Sequence, residues 1–352
     1  MARELNERER EVLELIIQNF ILTANPVGSR FLAKHSDLGL SDATIRNVMA
    51  DLEEEGYITH PHASAGRIPT DKGYRLYVNH MMRVGELSQS ERMKIDQNIE
   101  QLIADRATQS DDILRMASKI LSQISKQIAI VLSPKLSTGI FEKLEIVPLT
   151  SSKIMVIITI RSGLVKTIML EVRMEVSRQK LDELSQVLNE RLSGLTLEEI
   201  RQTFAERVAD YEDESGLLRI FVESADKVFD EQPQTERVHI AGKENILAYP
   251  EFEQPEKVRG IIEFIENEKV IVHLLEETRP IEANDSPVTI RIGKENLDSK
   301  IKECSVVTAR YSVGDTIGTV GVIGPTRMNY AKVVRVIDYI AKRLSQTLTL
   351  TR

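Results

Sequence analysis

The sequence predicts an α+β chain of more than one domain, opening with a small helical head, and three observations carry that prediction. Apolar residues recur at helical spacing through the first 83 positions. Strand-like runs at 141–172 and 270–323 flank a helical stretch at 177–230. The length, 352 residues, exceeds what one core ordinarily organises. The order, α then β then a helical interruption then β then α, is that of an α+β domain carrying an insertion.

Asn6 followed by Glu9 reads as a capping box for a helix over 6–23, along which Val12/Leu13, Ile16/Ile17 and Phe20/Ile21 repeat every four residues until Asn25-Pro26. Ser29 is placed to cap a short second helix carrying Phe31 and Leu32 that breaks near Gly39. Ser41 caps a third, running to about Glu55 and stopped by Gly56. Tyr57–His60 has strand character, Pro61–Pro69 is turn-rich, and Thr70 caps a fourth helix with Tyr74, Tyr77, Val78 and Met81 on one face. A linker is expected at Gly85–Ser90, then a helix over Glu91–Gln127 with Ile113, Met116, Ala117, Ile120, Ile124 and Ile128 on its stripe.

Strands are predicted at Phe141–Val147, Lys153–Ile160 and Val165–Val172, and again at Val270–Leu275, Val288–Ile292, Ser305–Tyr311 and Thr316–Ile323. Helical periodicity marks 177–230 (Leu181, Leu184, Leu188, Phe204, Phe221), a short helix from Pro255 through Phe264, and a last helix from about Asn329.

Composition narrows the function classes. One cysteine excludes a disulfide scaffold and multi-cysteine metal sites. Even the apolar run Ile154–Ile158 falls far short of the ~20 residues a membrane helix needs, and the N-terminus has no secretory core. A reduced, cytoplasmic setting without a membrane is expected. A net charge of −8, from 46 basic and 54 acidic residues, argues against a general polyanion coat and leaves room for a local basic surface.

The third helix offers such a surface. Ile45, Val48, Met49 and Leu52 lie at i, i+3, i+4 and i+7 and face inward, so Ala43, Asn47, Ala50 and Glu54 point outward with Arg46 and Thr44 on the flanks. Small residues let a helix sit deep in a major groove, and Asn and Arg suit the edges of adenine and guanine. The acidic run Glu53-Glu54-Glu55 lies at the far end, leaving the N-terminal turns free to approach phosphates. The strand at Tyr57 with the loop His62-Ala63-Ser64-Ala65-Gly66-Arg67 forms a wing, and Arg67 is placed to enter a minor groove or clamp a phosphate. From His60 to Arg83 the cations Arg67, Lys72, Arg75 and Arg83 face a lone Asp71. The candidate DNA-binding residues are therefore Arg46, Asn47, Thr44 and Ala43 for base edges, and Ser41, Arg30, His62, Ser64 and Arg67 for backbone and wing contacts.

Ser41 to Ile58 (SDATIRNVMADLEEEGYI) resembles the winged-helix core of the heat-inducible transcription repressor HrcA family, and His62 to Val78 (HASAGRIPTDKGYRLYV) its wing and following helix. Gly318 to Tyr330 (GTVGVIGPTRMNY) is similar to that family's C-terminal signature. The resemblance implies a winged helix-turn-helix, a GAF-like α/β domain and an inserted helical/β dimerisation domain. On this chain these are expected at 1–85, at 90–174 with 256–352, and at 175–255. It further implies a homodimeric repressor of chaperone operons that binds an inverted-repeat, CIRCE-type operator and is helped to its active form by the chaperonin GroEL.

Other sites were weighed. Gly314, Gly318, Gly321 and Gly324 match neither a P-loop nor a dinucleotide fingerprint and are assigned to a β-hairpin. His35, His60, His62 and His80 lack the cysteine or carboxylate that completes a metal set, so no metal is assigned. Cys304 is expected to pack as a small buried hydrophobe. No catalytic motif is present, so neither an enzyme nor a cofactor is expected. The alternative reading is a ligand- or metal-gated winged-helix regulator.

Overall fold

The computed structural model describes residues 4–36, 38–62, 65–104, 110–172, 177–211, 213, 215–230, 237–276 and 287–350. The head holds α1 (Glu7–Thr23), α2 (Ser29–His35), α3 (Asp42–Glu54), the short strands β1 (Ile58–Thr59) and β2 (Ile68–Pro69), and α4 (Asp71–Leu76), which runs on into a π-helical turn at Tyr77–Met81. The Asn6–Glu9 capping box is present, with Glu9 N–H donating to Asn6 Oδ1 at 3.0 Å and Asn6 N–H to Glu9 Oε2 at 2.9 Å. Ser41 and Thr70 cap α3 and α4 as expected. Ser29 does not cap α2. Gly28 takes that position, and the Ser29 hydroxyl hydrogen-bonds the Asp42 carboxylate instead. β1 and β2 pair antiparallel, Ile58 opposite Pro69 and Thr59 opposite Ile68, and close the hairpin that carries the 60–67 loop.

The body follows as α5 (Gln89–Ala104), α6 (Ser110–Ser125) and β3 (Ile128–Leu132). Next come β4 (Phe141–Thr150), β5 (Lys153–Ile160), β6 (Val165–Glu171) and four helices: α7 (Arg178–Leu192), α8 (Leu197–Arg207), α9 (Leu217–Glu223) and α10 (Ala225–Phe229). The chain then continues through β7 (Val238–Ala241), α11 (Pro255–Glu266), α12 (Glu268–Glu276), β8 (Val288–Ile292), β9 (Cys304–Val313), β10 (Thr316–Pro325) and α13 (Tyr330–Leu350). Among the described residues no helix is long and apolar enough to cross a membrane.

Two antiparallel sheets organise these elements. Five strands run in the order β7-β3-β10-β9-β8 and three in the order β4-β5-β6. Side chains alternate across the larger sheet. Ala129, Val131, Val320 and Val322 pack with α6, α13 and the head, while Ile128, Ile130, Leu132 and Ile323 pack with α11 and α12. The smaller sheet shares a separate core with α7–α10, in which Leu144, Ile158 and Ile168 meet Leu184, Leu188, Phe204 and Phe221.

Four expectations are corrected. The helix over Glu91–Gln127 is two helices, and Ile128 belongs to a strand. Val270–Leu275 is helical. Its β-branched start suggested a strand, but Ile271, Val272, Leu274 and Leu275 bury at helical spacing. Val238–Ala241 is a strand not foreseen, since it pairs with β3, more than 100 residues away. The separate core also runs from Phe141 to Phe229 rather than 175–255, because the strands at 141–172 pack on the helices that follow them and β7 returns to the larger sheet.

The glycine series lies on the β9–β10 hairpin. Gly314 turns it with φ +59°, and at Gly318 an added Cβ would fall 2.3 Å from the buried Tyr311 ring. Gly318→Ala should therefore lower stability by about 1–3 kcal/mol through overpacking. Gly260→Ala on α11, where no atom lies within 4 Å of the added Cβ, should raise it by about 0.5–1 kcal/mol. Urea unfolding of the two variants checks both.

Candidate nucleic-acid interface

The inner side of α3 is fixed by Ile45, Val48, Met49 and Leu52, all buried, against α1 and α2. Its outer side is bare. Ala43, Arg46, Asn47, Ala50 and Glu54 are exposed and Thr44 is half-buried. At the helix start Ser41 accepts from the Thr44 N–H at 3.2 Å, and the two hydroxyls meet at 2.9 Å.

Asp42 stands between two of the candidate cations, 3.5 Å from Arg30 Nε and 3.5 Å from an Arg46 guanidinium nitrogen. The Ser29 hydrogen bond, then the two guanidinium charges, hold its carboxyl below the usual range. The arginine side chains are 84% and 65% exposed, so each pair is weak and readily exchanged for another anion.

The base of the β1–β2 hairpin is held differently. Glu53, on the last turn of α3, pairs with Arg67 at 2.8 Å and with the His60 ring. Burial works to raise its pKa, but the His60 hydrogen bond and the Arg67 charge outweigh it and keep the carboxyl below its ordinary value. The Arg67 backbone exchanges two hydrogen bonds with Val27 at 2.9 and 2.8 Å, and Gly66 lies so close that a Cβ would sit 2.6 Å from the Val27 carbonyl. Arg67 thus fastens the 60–67 loop to α3 and to the link between α1 and α2, rather than projecting from it.

Two other cations of the expected basic edge, Lys72 and Arg75, are similarly engaged. Lys72 donates to the Glu55 carbonyl at 2.6 Å and lies 4.1 Å over the Tyr57 ring, while Arg75 pairs with Glu295. Arg83 and His62 are exposed; Ser64 and Ala63 lie outside the described residues. Sequence reasoning missed Asp42 and Glu53 as organisers of this surface. The available signal was a carboxylate at each end of a helix otherwise offered to an anionic partner.

Among the described residues no three histidine, cysteine or acidic side chains are grouped to hold a metal. His35 stacks on Phe31 with ring centroids 4.5 Å apart. Cys304 is fully buried, and that burial pushes its thiol up to about 12.

Comparison with known proteins sets these features in a family. Residues 111–334 match the family described as HrcA protein C terminal domain. The chain is 50% identical over 352 residues to the heat-inducible transcription repressor HrcA of Chlorobium phaeobacteroides (strain BS1), covering 99% of this chain and 100% of that one. It is also 50% identical over 348 residues to the protein of the same name from Chlorobium chlorochromatii (strain CaD3), covering 99% of each. A crystal structure titled as a hypothetical protein at 2.2 Å resolution superposes with a TM-score of 0.63 at 28% identity, over 99% of this chain and 100% of that one. Matched from end to end by relatives at this identity, the chain belongs to the HrcA family of heat-inducible transcription repressors, regulators of transcription and not enzymes.

Proposed function

We propose that the chain is a homodimeric repressor of heat-shock chaperone operons, with its head acting as a winged helix that reads an inverted-repeat, CIRCE-type operator. The observation that carries this reading is α3, fixed by four buried aliphatic side chains and bare along Ala43, Asn47 and Ala50. Arg46, Asn47, Thr44 and Ala43 would read base edges, Arg30 and Ser41 the phosphates, and His62 and Ser64 the strand passing the wing. Arg67 holds the wing in place. The body is taken as GAF-like, its sheet covered by helices on both faces.

Dimerisation has a physical motive, because one helix reads only a few base pairs and two in fixed register read an inverted repeat. The open face of the smaller sheet supports it. Met169 and Val165 are 62% and 53% exposed there, opposite Met155 and Thr159. Heat would shift the dimer toward an inactive form, and GroEL would assist its return.

A footprint of the purified protein on the promoter of a chaperone operon tests the core of this reading. Arg46→Ala should cost about 1–3 kcal/mol on that site and much less on random duplex. Equal losses would reassign Arg46 to a phosphate. Salt titration separates the two kinds of arginine. Arg30→Ala should lower the slope of log affinity against log salt by about 1, whereas Arg67→Ala should leave the slope alone and lower the unfolding temperature. Operator occupancy should also fall through a heat-shock step and recover faster with added GroEL. Unchanged occupancy, indifferent to chaperonin, would sink the thermal part of the proposal.

A further inference from the structure

The head is attached to the body by more than the chain that links them. Arg75 on α4 donates to Glu295 Oε1 at 2.8 Å and to the Ile290 carbonyl at 2.7 Å, and its second guanidinium arm pairs with Glu295 Oε2. Glu295 is itself pinned by the Ile292 N–H at 2.8 Å. Beside this pair, Asp71 accepts from the Lys294 N–H at 3.0 Å, and Gly293, at φ +54°, packs so tightly that a Cβ would fall 2.3 Å from the Asp71 carboxylate. On the far side Arg327 donates to the Ile21 carbonyl at 3.2 Å, at the C-terminal end of α1, and pairs with Glu251. Between these joints the buried rings of Tyr74 and Tyr330 meet at 5.9 Å.

We propose that this seam determines which spacing between operator half-sites the protein accepts. The inference rests on the reading of the chain as a dimeric reader of an inverted repeat and assigns that specificity to residues that touch no DNA. Each base pair added between half-sites shifts the second one by about 3.4 Å along the duplex and about 35° around it. A head on a free tether of six residues would wander over about 13 Å and absorb such shifts. A head held by a forked arginine, a glycine-backed carboxylate and two buried rings cannot, because packed interfaces switch between discrete arrangements rather than bending continuously. Asp71, Arg75, Glu295 and Arg327 are thus positioning residues that act through the angle of α3.

The test uses the full chain and two kinds of duplex. One carries a single half-site of the sequence defined by the footprint. The other carries the full inverted repeat, its spacer lengthened or shortened one base pair at a time. The neutral pair Arg75→Gln/Glu295→Gln removes the joint without stranding a charge. Asp71→Ala opens the neighbouring joint independently. Wild type should lose roughly tenfold or more in affinity when the spacer is wrong. Both variants should lose less than about threefold while keeping wild-type affinity for the lone half-site, a split that general destabilisation would not produce. Wild-type spacing discrimination in both variants overturns the seam's role and leaves the dimeric reading intact. A wild-type protein with no preference for the repeat over the single half-site overturns the dimeric reading and the seam's role together. If half-site affinity falls in one variant, the other decides: relaxed spacing supports the seam, retained spacing overturns it.

Discussion

Burial of one side of α3 is the interaction on which the rest of the head depends. Ile45, Val48, Met49 and Leu52 each contribute roughly 1.5–3 kcal/mol relative to exposure. The Asp42 ion pairs on the opposite side are solvent-screened and add little. Position is therefore set from within, and the outer surface stays free to change partners at small cost. A helix fixed by its outer charges would have to give up its placement to bind. This one does not.

That arrangement also resolves the contradiction between an acidic chain and a polyanionic partner. Most of the basic residues between His60 and Arg83 are not free, since Arg67, Lys72 and Arg75 are committed to Glu53, the Glu55 carbonyl and Glu295. They build stiffness instead of field. Arg30 and Arg46, beside α2 and α3, stay exposed instead. A net charge of −8 accordingly leaves little long-range attraction for a polyanion.

The head was largely legible in the sequence because its determinants are local. The Asn6–Glu9 box, the Ser41 and Thr70 caps and the four-residue stripe of α3 each involve residues within one or two turns. Legibility failed where the deciding partner is distant or where the environment is apolar on all sides. Ile128–Leu132 is buried at every position, so no alternation distinguishes it from the helix before it. Val270, Ile271 and Val272 share β-propensity, and only the packing against the larger sheet selects a helix. Arg67 and Arg75 read as free cations because Glu53 and Glu295 are 14 and 220 positions away. That the strands at 141–172 share a core with the helices after them was illegible for the same reason: which elements pack together is a long-range fact.

Cys304 carries a consequence of its own. Burial pushes its thiol up to about 12, so its reactive anion is scarce at neutral pH, and the side chain is shut off from solvent. The folded protein is accordingly deaf to oxidants at its one sulfhydryl. Oxidative damage there can only follow melting, so an oxidised Cys304 would record that a molecule had already come apart.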